Sequence, residues 1–589
     1  MRAVRRTSVL LVGALVASGV AMLPAQADDA DPTTLAVDGT VRAVVVDRFG
    51  SDASSDHRFT VVTDGGAEIP VDLPHGTPAN GRFDGELVVD GDVEAALDAK
   101  DLLPRDGGTI AQDTRAGRVA VAEAATQDAP LEVASSTVAP ARAAAVTSPA
   151  PHRAYVALLS NRGSVEETPA QVKALVETMT SYWTTESAGV ITSFDVQGEV
   201  MPFTTASTAT TGQSCGMGAP STIWNEARQK FPNVSFATGS RNHLVVAMAD
   251  ECGDGGIAGV ASIGNDLSSG GPMSFSMGDI ATQVGVHEMG HTFGLGHANL
   301  DQCPAADACG DGEYFDLFSP MALAVSGTAF APPALDSAFR NRLGVASASE
   351  LPTMTSSGSV TVRPRSDATG VRGVVVVDPV TSTRYVVEAR SGTGRDAATF
   401  YASSASLGVP VRYDPGVTVT TVSDDGELTL LTRKASSTYD GAFAAGQTFV
   451  SPGGSTTIAI GAASSAGTPV TVTLSGSSAA PTPAPTAAPQ PQPPAAAPGR
   501  FTAATPRIVG TAKVGRTMKV KVGSWSPRPT FRYQWFANGR KISSKGTKAS
   551  FRLTSRQKGK RITVRITGIK AGYATISKTS RKTKKVAGR

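Results

Sequence analysis

Seven histidines occur in 589 residues, and three of them fall within one short stretch, H-E-M-G-H-T-F-G-L-G-H, from His287 to His297. On a helix, His287 and His291 are four residues apart and share a face, so both imidazoles can reach one ion. Glu288 projects beside them and can bond a water at that ion without becoming a ligand. Gly294 can adopt the positive φ that other residues resist, which lets the helix stop and the chain reverse. That reversal brings His297 back as a third ligand, and three neutral imidazoles leave the fourth position of a zinc ion open for water. Zinc lowers the pKa of such a water towards ~7. Glu288 can take the proton as the water attacks a peptide carbonyl, then pass it to the leaving amine. A structural zinc site more often uses four protein ligands and no adjacent glutamate. The spacing therefore predicts hydrolysis.

The motif resembles the signature of the metzincin zinc peptidases. That resemblance implies a methionine turn beneath the metal, and Met321 in F-S-P-M-A is the residue placed for it, with Pro320 favouring a tight turn. Astacin-like and serralysin-like members carry a tyrosine two residues after this methionine. Here the position is Leu323, so no tyrosine switch is expected there. Ala298 follows the third histidine, where adamalysins carry Asp, astacins Glu and serralysins Pro. With Tyr314, Asp316 and Met321 downstream, the stretch is most similar to the gametolysin-like metzincins and their secreted bacterial relatives.

Around the motif the pattern is α/β. Tyr155 to Leu159 is an apolar strand, and Thr168-Pro169 opens a helix with an N-cap and a proline at its first position. Val172, Leu175, Val176, Met179 and Tyr182 recur along it at helical spacing. Strands are expected over 191–200, 244–249 and 256–264, and helices near 223–231 and 278–294. The reading is a multidomain chain with an α/β, metzincin-like catalytic domain over 151–345, flanked by all-β modules. Residues 28–150 form a pro-segment or N-terminal β module, with strands at 40–46, 59–62, 85–89 and 118–121 and an Ala/Thr/Ser/Pro-rich linker from 125. Residues 346–476 are a second β module of short strands, similar to the module that follows the protease in such enzymes. A stiff Pro/Ala-rich spacer occupies 477–500.

Four cysteines, Cys215, Cys252, Cys303 and Cys309, suit disulfides in an exported chain. Three pairings are possible; Cys215–Cys252 with Cys303–Cys309 is preferred, because the second pair closes a short loop of turn-forming residues. Residues 28–150 hold no cysteine, so a thiolate latch is excluded and any latency needs a carboxylate or steric cover. His57, His75, His152 and His243 lack ligand-spaced partners and read as incidental surface residues. Asp307, Asp311 and Asp316 raise calcium, but without the EF-hand pattern they read as a solvated turn.

The first 27 residues read as a signal peptide: three arginines by position 6, an apolar stretch to Leu23 and the small-x-small site Ala25-Gln26-Ala27. No later stretch is apolar for long enough to span a bilayer. Residues 501–589 contain 24 Lys plus Arg and no Asp or Glu, leaving 30 of the 54 basic residues against all 51 acidic ones elsewhere. This basic tail resembles an Ig-like repeat of secreted bacterial proteins, with Trp525 and Trp535 in its core. Its field favours polyanions, with an anionic cell wall rather than nucleic acid as the expected partner. The sequence thus predicts a secreted zinc endopeptidase acting on protein or peptide, with its tail as the expected attachment to the wall. The rival is a surface-binding or adhesive protein whose peptidase domain is inactive.

Overall fold

The computed structural model describes residues 33–475 and 501–588, apart from internal segments of which 140–147 and 302–310 are the longest. The signal peptide, the 477–500 spacer, His75, Cys303, Cys309 and Asp307 lie outside the described residues. No helix among the described residues is long and apolar enough to cross a membrane.

The N-terminal module begins with β1 (Thr34–Arg48), β2 (Ser54–Thr63), β3 (Glu68–Asp72) and β4 (Arg82–Val88). Helix α1 (Gly91–Asp98), strand β5 (Thr109–Ala111), helix α2 (Arg115–Ala124) and β6 (Leu131–Ala139) complete it. Leu35, Val37, Val41, Phe59, Val61, Phe83, Leu87 and Val133 give this module a hydrophobic core of its own. Two expectations fail here. Residues 118–121 are helical, because Thr114 caps α2 by accepting the Gly117 N–H and the segment is rich in alanine. Much of the expected linker is instead strand β6, which pairs with β4.

The next elements are β7 (Ala150–Leu159), α3 (Pro169–Glu186), β8 (Ile191–Val196), β9 (Met201–Phe203), α4 (Pro220–Arg228), β10 (Asn242–Met248), β11 (Ile257–Ser262), β12 (Gly271–Ser276), α5 (Ala281–Thr292) and β13 (Ala298–Asp301). Strands β8, β7, β10 and β12 run parallel in that order, and β11 closes the edge antiparallel to β12. Strand β12, unforeseen in its Gly/Ser-rich segment, is buried along its whole length. Thr168 caps α3 in a capping box, and Trp183 from α3 donates its indole N–H to the Val286 carbonyl of α5. The two helices are thereby locked together over the sheet.

Strand β1 continues this sheet beyond its edge by pairing antiparallel with β11, Val44 opposite Ser262 and Asp47 opposite Gly259. Its burial alternates as far as Val44, then Val45, Val46 and Asp47 are all buried. The V-V-V-D run is where the strand passes from a sheet with one wet face to one covered on both. Val45 joins the core around α5, and Val46 joins the core on the sheet's opposite face.

Downstream, strands Gly373–Val377, Arg384–Arg390, Gly416–Val422 and Leu428–Leu431 form an antiparallel meander whose last strand pairs in parallel with β13. Buried ion pairs join this module to the end of α3, with Arg340 bridging Glu186 and Glu350. In the basic tail Trp535 is fully buried, and strand Thr575–Thr579 pairs with β6 of the N-terminal module.

Candidate metal centre

Helix α5 is buried on every side, so small residues mark the places where neighbours approach closely. A Cβ at Gly285 would collide with the Met179 side chain, and one at Gly290 with Met321. Met321 is fully buried and sits against α5 at Gly290, beneath the histidines. The helix ends in a Schellman turn. The Leu295 N–H reaches the Gly290 carbonyl at 3.1 Å, the Gly294 N–H reaches His291 at 2.9 Å, and Gly294 adopts φ +84°. The chain then reverses and carries His297 back over the helix. His297 is fixed from the second β module, with its N–H donating to Glu427 Oε2 at 3.0 Å and its carbonyl accepting the Leu428 N–H at 2.8 Å.

The three imidazoles converge. His291 Nε2 lies 3.0 Å from His287 Nε2 and 3.2 Å from His297 Nε2. His287 Nδ1 donates to the Ala322 carbonyl at 3.0 Å and His291 Nδ1 to the Leu295 carbonyl at 2.8 Å, so both Nε2 lone pairs point inward. A tetrahedral zinc with Zn–N of about 2.0–2.1 Å would hold its nitrogens about 3.3 Å apart. Beside them both Glu288 carboxylate oxygens are buried and accept from no donor among the described residues, with the Asp47 carboxylate as a close neighbour. Converging lone pairs and an orphaned carboxylate are what a bound cation and its water would satisfy, so these residues fit zinc.

A fourth group occupies the centre, and sequence reasoning did not find it. Asp47, fully buried at the end of β1, places Oδ2 3.1 Å from His291 Nε2 and 3.4 Å from His287 Nε2. Its Oδ1 lies 3.1 Å from His297 Nε2 and accepts the Tyr314 hydroxyl at 2.7 Å. Phe49 packs edge-on against both His287 and Tyr314. Tyr314 itself holds the left-handed region at φ +68°, uncommon for a non-glycine residue. So a tyrosine does enter the centre, though from a position other than the one after Met321. Glu313 accepts from Ser55 of β2 and approaches His297 Nδ1 to 3.5 Å.

Burial opposes charge throughout this centre. It raises the Glu288 carboxyl well above its usual range, and the Asp47 charge adds to the rise. Burial also lowers His291 to about 4, partly offset by Asp47. For His297 burial is outweighed by Asp47, Glu427 and Glu313, which push it up to about 10.

Other expected residues fall elsewhere. Cys215 and Cys252 are joined in a disulfide. His152 and His243 are buried, not incidental surface residues: His152 Nδ1 meets His243 Nε2 at 3.0 Å, and His243 Nδ1 meets Thr292 Oγ1 at 3.2 Å. They pack under α5 against Phe194 and Phe293. His57 is half-buried, its ring 6.0 Å from that of His297. Asp316 is buried, not part of a solvated turn, and accepts the Phe318 N–H at 3.2 Å.

An α5-borne histidine pair, a third histidine after a glycine reversal and a buried glutamate thus meet at one point of the domain. Residues 153–319 match the family model Reprolysin_5, metallo-peptidase family M12, so the chain carries an M12 metallopeptidase domain with a histidine-rich site suited to zinc. The chain matches no curated protein.

Proposed function

We propose that this protein is a secreted zinc-dependent endopeptidase of the metzincin type, similar to the gametolysin-like group. In this reading 151–345 form its α/β catalytic domain and 501–589 an Ig-like module that associates with an anionic cell wall. The observation that carries the catalytic reading is the convergence of three Nε2 atoms next to an unpartnered, buried Glu288. His287, His291 and His297 would hold the metal. Bound there, zinc would polarise the substrate carbonyl and acidify a water. Glu288 accepts the proton of that water as its oxygen bonds to the carbonyl carbon. The same carboxyl then delivers the proton to the amide nitrogen as the C–N bond breaks. Met321 supports the helix from below. A peptide substrate can add as a strand at a sheet edge, where main-chain hydrogen bonds hold it extended.

Protein recovered from culture medium tests the reading. It should contain one zinc per chain and cleave casein, and Glu288→Ala should keep the zinc and lose about 10²–10⁴-fold in rate. N-terminal sequencing of the active species identifies where it begins. A zinc-loaded medium form that cleaves neither casein nor a peptide library would favour the adhesive alternative.

A further inference from the structure

We infer that Asp47 is a fourth protein ligand to the metal in the full-length chain, and that β1 thereby makes the N-terminal module an intramolecular inhibitor of the peptidase. This rests on the reading of the site as a zinc centre. Four observations carry it.

The Asp47 carboxylate is the only acidic group among the described residues grouped with all three histidines within ligand distance. Its oxygens lie 3.1–3.4 Å from the three Nε2 atoms, in the place a catalytic water needs. The strand also covers the site: Asp47, Glu288 and the histidines are at most 1% exposed, so no peptide can reach Glu288 while β1 is seated. Its pairing with β11 uses the edge that an extended substrate would need, and a strand and a substrate cannot share one edge. Finally, the plug is built. The register of β1 shifts between Asp47 and Arg48, a bulge that re-aims a side chain, and the strand's first half is anchored in the N-terminal module's own core. Asn80 adds bonds from that module to the Ile263 carbonyl and Asn265.

Charge agrees with this assignment. A divalent ion held by three imidazoles and the Asp47 carboxylate has a counter-charge directly on it, which suits a closed, dry site. Replacing Asp47 by water would remove that counter-charge and leave the ion free to draw a carbonyl oxygen.

The test uses the full chain loaded with zinc. Metal content is measured first, since a chain that binds no zinc sinks the function proposed above rather than the latch. Binding of a fluorescent peptide hydroxamate, which needs the open metal position, is then titrated. Asp47→Ala and the volume-conserving Asp47→Asn should bind the probe at least about 100-fold more tightly than wild type and lose zinc to dipicolinate at least about 10-fold faster. Equal probe affinity and equal zinc loss in wild type and variants would overturn the assignment. Should both variants fail to fold, hydrogen exchange on wild type decides. Probe binding should raise exchange of residues 43–48, because probe and Asp47 compete for one position; a bound probe that leaves those amides protected would overturn it.

Discussion

The Tyr314 hydroxyl donates to Asp47 Oδ1 at 2.7 Å, and this bond ties the end of β1 to the chain segment that follows the third histidine. A hydrogen bond to a charged group is worth about 1.5–3 kcal/mol. Tyr314→Phe should therefore loosen the plug while leaving all four proposed ligand side chains in the chain. In the zinc-loaded full chain, hydroxamate affinity should rise about 10-fold or more while zinc content stays constant. An unchanged affinity would show that this bond does not hold β1 in place.

Gly259 of β11 is the residue across from Asp47, and a Cβ there would collide with the Glu288 carboxylate. Gly259→Ala should displace the Glu288 carboxylate while leaving the histidines in place. On the function proposed above, casein cleavage by the zinc-loaded protein from culture medium should fall at least about 10²-fold with the zinc retained. Full activity in this variant would mean that Glu288 works from a different position.

The His152–His243 pair makes stability depend on pH. Burial, with Arg241 contributing, lowers His152 to about 4, and burial lowers His243 well below its usual value. Both groups are bases with depressed folded-state values, so the unfolded chain binds more protons below about pH 6.5. Stability is therefore complete above pH 6.5 and falls as pH drops, by about 1.4 kcal/mol per unit for His152 until about pH 4. Urea unfolding between pH 7.5 and 4.5 should show this slope, and His152→Phe should flatten it. A slope unchanged in the variant would assign the dependence to other groups.

The basic tail predicts salt-sensitive association. Surface attraction of this kind is screened over ~10 Å at 0.1 M salt and ~3 Å at 1 M. Binding to isolated anionic cell walls should weaken sharply between 0.05 and 0.5 M NaCl, as order-of-magnitude conditions, and vanish when 501–589 are deleted. Binding insensitive to salt would rule out charge as its basis.

The centre was legible in the sequence to the extent that it is local. His287, Glu288 and His291 are set by one helix, and Gly294 marks the reversal to His297, so type and spacing suffice. Asp47 is 244 residues from His291, and no periodicity links them. The one available signal was an acid ending the apolar run Val44-Val45-Val46, since a carboxylate there is either at a wet edge or paired when buried. His152 and His243 were misread because each stands beside polar residues at a strand's start. Their burial comes from α5 and Phe293 packing over both. Strand β12 escaped because a parallel strand buried on both faces needs no alternation, and G-G-P-M-S-F-S offers little β-branched signal.

Glu427 stands 130 residues beyond His297 and holds its backbone, whereas the family match ends at residue 319. The support of His297 thus reaches beyond the segment recognisable by family likeness. On the zinc reading, a fragment that ends before Glu427 should hold metal less well, and a chimera that exchanges the second β module should alter metal retention before it alters the choice of peptide.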